Sequence, residues 1–342
     1  MIKHSTTLPF TLDVSSFFSC TMHLSTLLLN AGLATAASLQ GHLHARAAQK
    51  SNVKCPIIFD GRVPTNATLA TFDNAAASPF NTGFVKGENR TWSSILLLPE
   101  SCTPSRFDVP KATKPFEVTI DDGSLFRSGE KLQLGFRRAG LLLKDDKNDA
   151  GADQSDKGIV TFHWSIKQDA QRPLNLSHEY MNVWHEKADY SGNQFMFVGG
   201  VILSGDGGTG IDTKEEREMW KIQNIKNEVV FKTKMLFGKW QNFAVQLDYA
   251  KKCAESFADF SVSLSTMKVF YSDGTDQLRA VTGATPNNNT GGGQLQLGIL
   301  KKPTETKTAV FDGFQEPIKL RGEGQIYGGL FVEDSTNGCV SL

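Results

Sequence analysis

Four segments of the sequence alternate apolar and polar side chains at every second position. The apolar members are Leu132, Leu134 and Phe136; Phe243, Val245, Leu247 and Tyr249; Phe260, Val262 and Leu264; and Leu295, Leu297 and Ile299. A period of two is typical of a strand with one buried and one solvated face. Turn signals separate these segments, among them Asp122-Gly123, Asp206-Gly207-Gly208, Asp273-Gly274 and Gly291-Gly292-Gly293. The pattern predicts an all-β sandwich of the jelly-roll type.

Two stretches interrupt the alternation. Residues 145–157 are polar and charged and predict a surface loop, whereas residues 211–227 predict a short helix capped at Asp212 or Thr213. The body of the chain contains no linker and no internal repeat. We therefore expect a single domain over residues 51–342.

The N-terminal region predicts export. A short apolar run within residues 22–37 ends in small residues, with Ala34 and Ala36 in the arrangement of a signal-peptidase site. We expect residues 1–37 to be a secretory leader, with Met22 as a possible true start, and residues 38–50 to be a short mature N-terminal segment. Four N-x-S/T sequons support a secreted, extracellular glycoprotein: Asn66, Asn89, Asn175 and Asn288.

Charge and hydropathy exclude two classes of partner. The 36 basic and 36 acidic side chains balance, so the chain lacks the electrostatic footprint expected for nucleic acid or an anionic membrane. No segment after the leader is long and apolar enough to be a membrane helix.

The five cysteines form no CxxC or CxxH pair, so we predict no metal site. Cys20 lies in or before the leader. A bridge between Cys55 and Cys339 would join the two ends of the mature chain, and export to an oxidising compartment permits it. Cys102 and Cys253 could form a second bridge, although the sequence leaves all three pairings of the four cysteines open.

The sequence lacks the motifs of several enzyme classes. It contains no GxSxG elbow, no HExxH, no phosphate-binding glycine loop and no dinucleotide fingerprint, and nothing in it suggests a cofactor. A secreted sandwich rich in aromatic residues suggests carbohydrate handling, because sugar rings stack on aromatic faces and paired carboxylates cleave glycosidic bonds.

Polar residues concentrate in residues 171–186, QRPLNLSHEYMNVWHE. On a strand, Glu179 shares a face with Asn175 and Ser177, whereas His178 shares the other face with Leu176 and Tyr180. The first face is the more polar, which favours Glu179 as the groove residue. Two adjacent arginines, Arg137 and Arg138, follow an apolar strand and could bind sugar hydroxyls or lower the pKa of a carboxylate.

Several blocks resemble the catalytic domain of glycoside hydrolase family 131. In chain order they are CPIIFDGRVPTNAT (55–68), WSSILLLP (92–99), FRRAG (136–140), QRPLNLSHEY (171–180), GILKKPT (298–304), GFQE (313–316) and IYGGLFVEDSTNGCVSL (326–342). The resemblance implies a β-jelly roll of secreted fungal enzymes that act on β-linked glucans. It implies exo-acting β-1,3 and β-1,6 and endo-acting β-1,4 cleavage with inversion, which needs an acid and a base roughly 6.5–9.5 Å apart.

Family members resemble one another in two carboxylates, one in an FRRAE-like block and one in SHEY. The resemblance assigns the second to Glu179, but this sequence has Gly140 at the first position and Gln241 where a histidine is expected. Glycine cannot transfer a proton, so another carboxylate would have to substitute. In an active hydrolase of this family, the site would be ordered and the substrate bound by Arg137, Arg138, His178 and Tyr180. The carboxylates considered as substitutes are Glu88, Glu100 and Asp145.

Three functions follow as hypotheses. The first is an active β-glucan hydrolase that uses Glu179. The second, favoured by Gly140 and Gln241, is a non-catalytic glucan-binding protein in which Trp184 or Tyr180 stacks on sugar, while Trp164 belongs to the core. The third and weakest is a polysaccharide lyase that would use the side chains His163, His178, Tyr180 and Arg138.

Overall fold

The computed structural model describes residues 52–203, 210–249 and 265–342. The strands are, in chain order, β1 (Ile57–Asp60), β2 (Val63–Pro64), β3 (Leu96–Leu97), β4 (Thr113–Lys114), β5 (Phe116–Ile120), β6 (Phe126–Ser128), β7 (Lys131–Gln133), β8 (Arg137–Leu142), β9 (Ile159–Gln168), β10 (Glu179–Lys187), β11 (Asn193–Gly200), β12 (Met219–Asn224), β13 (Val229–Lys234), β14 (Gln241–Asp248), β15 (Thr266–Asp273), β16 (Arg279–Ala280), β17 (Thr285–Pro286), β18 (Gly293–Lys301) and β19 (Glu323–Asp334). The helical segments are a 3-10 turn at Leu69–Asp73, α1 (Trp92–Ile95) and α2 (Lys214–Arg217).

Two antiparallel sheets contain most of the strands in the described ranges. The larger sheet has the strand order β16-β15-β14-β9-β19-β5-β3, with β1 also paired to β19 and β17 to β15. The smaller sheet has the order β13-β12-β11-β10-β18-β8. The pairs β2-β4 and β6-β7 are separate small ribbons. This architecture confirms the predicted all-β jelly-roll sandwich.

The hydrophobic core lies between the inner faces of the two sheets. Trp164 of β9 and Phe243 of β14 stack with centroids 5.8 Å apart, and Phe195 of β11 stacks on the other side of Trp164 at 6.0 Å. Such aromatic pairs contribute beyond the apolar area that they bury. Trp164 is fully buried, as predicted, together with Val160, Phe162 and Ile166 of its own strand.

The predicted strands form with two differences. Strand β14 buries Phe243, Val245 and Leu247 as expected, but Ala244 on its other face is also fully buried, because a second apolar cluster covers that face. The predicted strand from residue 131 to 136 ends at Gln133, and Leu134 is 56% exposed. The cause is a contact with a distant segment: the Gly135 N–H donates to the Val310 carbonyl, and a Cβ at this position would collide with the carbonyls of Ala309 and Asp312.

The loop over residues 145–157 is confirmed, and the predicted helix is confirmed only in part. The Thr213 hydroxyl accepts the Glu216 N–H, so α2 begins where the sequence predicts. It ends after one turn because Met219–Asn224 pairs with β11 and β13 as a strand. Within the described ranges no helix is long and apolar enough to cross a membrane.

Several predictions concern residues outside the described ranges: the leader and the segment to residue 50, the turn at 206–208, the alternating segment 260–264, Cys20 and Cys253. Cys102 forms no disulfide with any described residue. The start of the domain at residue 51 stays a prediction; Ala48–Leu342 forms one compact unit.

The two ends of this unit are joined on the outer side of the larger sheet. Cys55 and Cys339 form the predicted disulfide across 284 residues of chain. Beside it, the Ser341 hydroxyl accepts the Lys54 N–H and donates to Glu333, which is fully buried and lies 2.8 Å from His163 Nε2. The buried carboxylate therefore holds the C-terminal segment against β9.

A buried acidic cluster lies near the C-terminal end of β10. Asp156 accepts the Gly293 and Gly151 N–H groups, and Asp146 accepts the Leu295 N–H. Burial raises the pKa of Asp156 to about 6 and the pKa of Asp146 well above its usual value, and it lowers the pKa of His185 to about 4. The nearby Tyr249 phenol has a raised pKa for the same reason, and Asp153 and Lys157 are the other charges that act on Asp156.

Removal of the terminal disulfide should destabilise the protein. Loss of a native disulfide typically costs about 2–5 kcal/mol, because the cross-link restricts the unfolded chain. We expect Cys55→Ala/Cys339→Ala to lower the free energy of unfolding by that amount in urea titrations followed by tryptophan fluorescence. An unchanged midpoint would show that the Ser341–Glu333 contacts alone hold the ends.

The Asp156 carboxyl should make stability depend on pH. In the folded state the Asp156 carboxyl keeps its proton up to about pH 6, whereas in the unfolded state it loses the proton at about pH 4. The contribution of Asp156 to the free energy of unfolding therefore falls as the pH rises from about 4 to about 6. His185 acts in the opposite direction over this range, so the parent must be compared with Asp156→Asn. We expect the difference between the unfolding free energies of the parent and the variant (parent minus variant) to decrease as the pH rises from about 4 to about 6. A flat difference would contradict the assignment.

Candidate active site

The register of the smaller sheet defines a face directed away from the core, here called the outer face. Gly140 of β8 lies opposite Gly298 of β18, and Gln296 lies between Leu142 and Trp184 of β10. Paired residues share a face, so these side chains point the same way. An apolar cluster occupies the middle of this face; its buried members are Met181, Trp184, Met196, Val198 and Leu300.

A β-bulge in β10 brings distant residues onto the outer face. The register with both neighbouring strands shifts between Met181 and Val183. Side chains alternate along a regular strand, so Met181 and Val183 would share a face, but here Met181 lies in the outer cluster and Val183 lies in the core. The faces of the residues beyond the shift are therefore reversed. Consequently Glu179 and Glu186, seven positions apart, both lie on the outer face, whereas Val183 packs in the core.

Glu179 begins β10 and is 3% exposed. Its Oε1 accepts a hydrogen bond from Lys302 Nζ at 2.6 Å, and its Oε2 accepts the Leu203 N–H at 2.7 Å. Both oxygens act as acceptors, as in an ionised carboxylate. Lys221 lies close enough for the Glu179 charge to act on its ammonium. The carboxylate is thus held in one position by two donors.

His178 and Tyr180 lie behind this carboxylate rather than on the outer face. His178 contacts the Lys302 carbonyl through Nδ1 at 2.7 Å and Glu316 through Nε2 at 2.8 Å. The Tyr180 hydroxyl donates to Glu323 at 2.7 Å and accepts the Asn175 N–H. Tyr180 is fully buried on the inner face, so it supports the start of β10 and does not belong to the outer face.

Arg137 and Arg138 occupy the edge strand β8. Arg137 donates to the carbonyls of Leu134 and Phe136, and burial lowers its pKa. Arg138 lies over the Phe126 ring at 5.0 Å and donates to Gln296 Oε1 at 3.3 Å; burial lowers its pKa to about 10. Only Arg138 of this pair faces the same way as Gly140, since the two arginines are adjacent on one strand.

The two altered positions have different surroundings. At Gly140, an added Cβ would lie 3.8 Å from Trp184, 3.9 Å from Gln296 Oε1 and 4.0 Å from Phe84, so a side chain could begin there without a clash. Gln241 lies in the larger sheet, where its amide bonds to Leu236 N–H, Lys234 carbonyl and Tyr271 hydroxyl. Gln241 is therefore part of a satisfied buried network.

Glu186 is a carboxylate on the outer face that the sequence did not single out. It accepts a hydrogen bond from Gln296 Nε2, and burial raises its pKa. Its position in the polar stretch 171–186 was the available signal, but the bulge that turns it outward has no sequence signature. Seven strand residues separate it from Glu179, about 20 Å, which exceeds the spacing of an inverting pair.

The other carboxylates considered as substitutes lie elsewhere. Glu100 follows β3 and Asp145 lies in the loop beside β1, so both are at the larger sheet and exposed. Glu88 is close to β8, because the nearby Val85 carbonyl accepts the Gly140 N–H, but it is paired with Arg127 at 2.6 Å. None of the three occupies the position next to Gly140.

The residues proposed for a lyase do not come together. His163 stacks on Phe331 on the outer side of the larger sheet, Tyr180 points into the core, and Arg138 lies on the outer face of the smaller sheet. Within the described ranges no group of three or more His, Cys, Asp or Glu side chains is spaced to hold a metal ion.

The four sequons also differ in their surroundings. Asn66, Asn89 and Asn288 are exposed. Asn175 is half-buried; its amide donates to Glu316 at 2.6 Å and accepts from Ser177. A glycan on Asn175 would require those contacts to be broken.

A sequence model of one family matches the chain over residues 57–338, and its description is the glycoside hydrolase 131 catalytic N-terminal domain. The chain belongs to glycoside hydrolase family 131. The match covers most of the chain and confirms the resemblance stated above. A search of curated protein sequences finds no match.

Solved structures of family 131 share the fold. The catalytic domain of the family 131 protein from Coprinopsis cinerea is 17% identical, with a TM-score of 0.56 over 82% of this chain and 94% of that one. A family 131 β-glucanase catalytic domain from Podospora anserina is 15% identical, with a TM-score of 0.56 over 81% of this chain and 96% of that one. At such identities the likeness shows the fold alone.

Loss of the Tyr180 hydroxyl should destabilise the region behind Glu179. In Tyr180→Phe the Asn175 N–H loses its acceptor and Glu323 loses a donor, and a buried group without a partner costs about 1–3 kcal/mol. Urea titration should show a loss of this size. Tyr190, which is 69% exposed, gives the control Tyr190→Phe, and equal midpoints for the two variants would contradict the buried role.

Proposed function

We propose that this member of family 131 is a β-glucan hydrolase in which Glu179 is a catalytic carboxylate. The observation that carries the proposal is the family match over residues 57–338, together with the position of Glu179 on the outer face of the smaller sheet. The chain would act outside the cell on fungal or plant cell-wall glucan, with the exo-β-1,3/1,6 and endo-β-1,4 cleavage that the family resemblance implies.

The contacts of Glu179 suit the role of general base. A carboxylate whose two oxygens accept from Lys302 Nζ and the Leu203 N–H is held ready to take a proton from water. The water oxygen would attack the anomeric carbon from one side of the sugar ring. An acid on the opposite side would protonate the leaving glycosidic oxygen, which gives inversion.

No carboxylate occupies the position from which the general acid of this scheme is expected. Gly140 provides no proton, and Glu186 is too far from Glu179 to form an inverting pair. Gly140 and Glu179 are separated by two strand spacings and about four residues along the sheet, or about 15 Å between Cα atoms. Two glutamate side chains that extend toward each other from these positions would span much of this gap.

The glycine at position 140 favours a second candidate function. A protein that keeps the outer face but lacks the acid would bind β-glucan and cleave it far more slowly. General acid–base groups contribute about 10²–10⁴-fold each, so hydrolysis by the parent would then be lower by about that factor.

Sugar release from laminarin, pustulan and a soluble cellulose derivative tests the two functions. We expect Glu179→Gln to reduce release by about 10²–10⁴-fold, since Gln cannot accept the proton. We expect Gly140→Glu to increase release by a comparable factor, because the Cβ fits and the carboxyl restores the missing acid. Glu130→Gln in the exposed β6–β7 turn is the matched control.

The outcomes separate the candidates. Release by the parent that is lost only in Glu179→Gln supports the hydrolase. No release by the parent, release by Gly140→Glu and retention of the parent on insoluble glucan support the binding protein. Neither release nor retention in any form would contradict both.

A further inference from the structure

A cavity of about 440 Å³ lies at the end of the smaller sheet formed by β13, and is here called the β13 cavity. Five apolar and three charged residues line it: Ile202, Ile211, Val229, Val230 and Phe231, with Glu216, Lys221 and Lys232. Its volume falls in the range of sites for small organic ligands, which are mostly apolar with a few polar groups. None of these lining residues carries a hydroxyl or amide side chain, so a sugar in this cavity would bury hydroxyl groups without partners.

The apolar wall of the β13 cavity is open to solvent. Val229 is 43% exposed and Ile211 is 74% exposed, whereas Phe231 packs in part against the core. The Gly210 N–H donates to the Ile202 carbonyl at 2.9 Å, which holds Ile211 beside Ile202. A ligand with an apolar body would remove this surface from water, and that removal favours binding.

Glu216 connects the two lysines of the cavity. Its Oε1 accepts from Lys232 Nζ at 2.6 Å, whereas its Oε2 lies 3.7 Å from Lys221 Nζ, too far for a hydrogen bond. Lys221 Nζ donates to the carbonyls of Gly200 and Glu216, at 2.9 and 2.6 Å. An ammonium group has three donors, so Lys221 keeps one donor for a ligand.

Positive charge exceeds negative charge around the cavity. The Glu179 charge also acts on Lys221, but the Glu179 carboxylate is already bound to Lys302 Nζ. Three ammonium groups, of Lys221, Lys232 and Lys302, therefore face the carboxylates of Glu179 and Glu216. Lys221 is 3% exposed, and burial lowers its pKa, with Lys232 acting in the same direction. A buried ammonium group without a full countercharge is costly, which favours an anion at this point.

We propose that the β13 cavity binds a small organic acid, whose apolar body lies against Phe231 and the aliphatic side chains and whose carboxylate accepts from Lys221 Nζ. A carboxylate suits an ammonium donor, since such charge-assisted hydrogen bonds are among the stronger ones. The inference goes beyond the proposed β-glucan function and does not depend on it. Ile202 precedes Leu203, whose N–H binds Glu179, so the cavity lies next to that carboxylate without including it.

Calorimetric titration of the protein with four probes tests the ligand class. Cinnamate and octanoate carry an aromatic and an aliphatic body on one carboxylate. Cinnamyl alcohol lacks the charge, and glucuronate lacks the apolar body. We expect at least one of the two acids to bind about 10–100-fold more tightly than either control probe, as expected for a hydrogen bond between charged groups. Tighter binding of cinnamate or of octanoate identifies the body as aromatic or aliphatic.

Substitutions test the charged and the apolar parts of the site with the tighter acid. Lys221→Met removes the ammonium group and should weaken binding about 10–100-fold. Val229→Glu places a carboxylate at an exposed lining position and should weaken binding by at least as much. Lys232→Gln should weaken it about 2–5-fold, as expected for an exposed charge. Lys234→Gln makes the same change two residues along β13, outside the lining, and should bind as the parent does.

Methyl NMR locates the ligand: the signals of Ile202 and Ile211 should shift on addition of the acid, and that of the core residue Ile166 should not. Thermal unfolding shows whether each variant is folded; if Lys221→Met is not, Val229→Glu decides, because Val229 is exposed. Failure of both acids to bind, equal affinity for a control probe, or unchanged affinity in a folded Lys221→Met or Val229→Glu variant would overturn the proposal. Competition by laminarihexaose would assign the cavity to glucan binding and would also overturn it.

Discussion

The bulge in β10 is the constraint on which the arrangement of the outer face depends. Strand β10 is hydrogen-bonded on both sides, so its alternation would otherwise place Glu179 and Glu186 on opposite faces. The shift between Met181 and Val183 keeps Val183 and His185 in the core and turns Trp184 and Glu186 outward. The Gly140–Gly298 pair then lies beside the Trp184 indole, and the polar and apolar parts of one surface meet there.

The polar groups behind Glu179 are costly to bury and therefore must be paired. Lys301 is fully buried between Glu323 and Glu316, at 2.8 and 3.2 Å, and Tyr180 completes the contacts of Glu323. Removal of one member would leave an uncompensated buried charge, which destabilises far more than the pair stabilises. The network thus fixes the backbone of Lys302, whose ammonium holds Glu179, and gives that carboxylate one defined position.

The sequence predicted the parts of the fold that local pattern controls. Alternation located β14 and β18, the polar run located the 145–157 loop, and Thr213 marked the start of α2. The resemblance supplied the family and Glu179. Features that depend on distant contacts were not predictable: β7 ends early because residues 309–312 press on Gly135, and Glu186 faces outward because of a register shift set by two neighbouring strands. Tyr180 entered the core for the same reason, through partners such as Glu323, 143 residues away.

The contacts that join the two ends of the described unit, made by Cys55, Cys339 and Ser341, also have a practical consequence. Val53 and Val340 pack on the cluster of Phe107, Phe270 and Phe331, which covers the outer side of the larger sheet. Both ends of the described unit thus emerge on the side opposite Glu179 and Gly140. A linker to a bead or an electrode attached after Leu342 would orient the immobilised molecules with the outer face of the smaller sheet toward the solution.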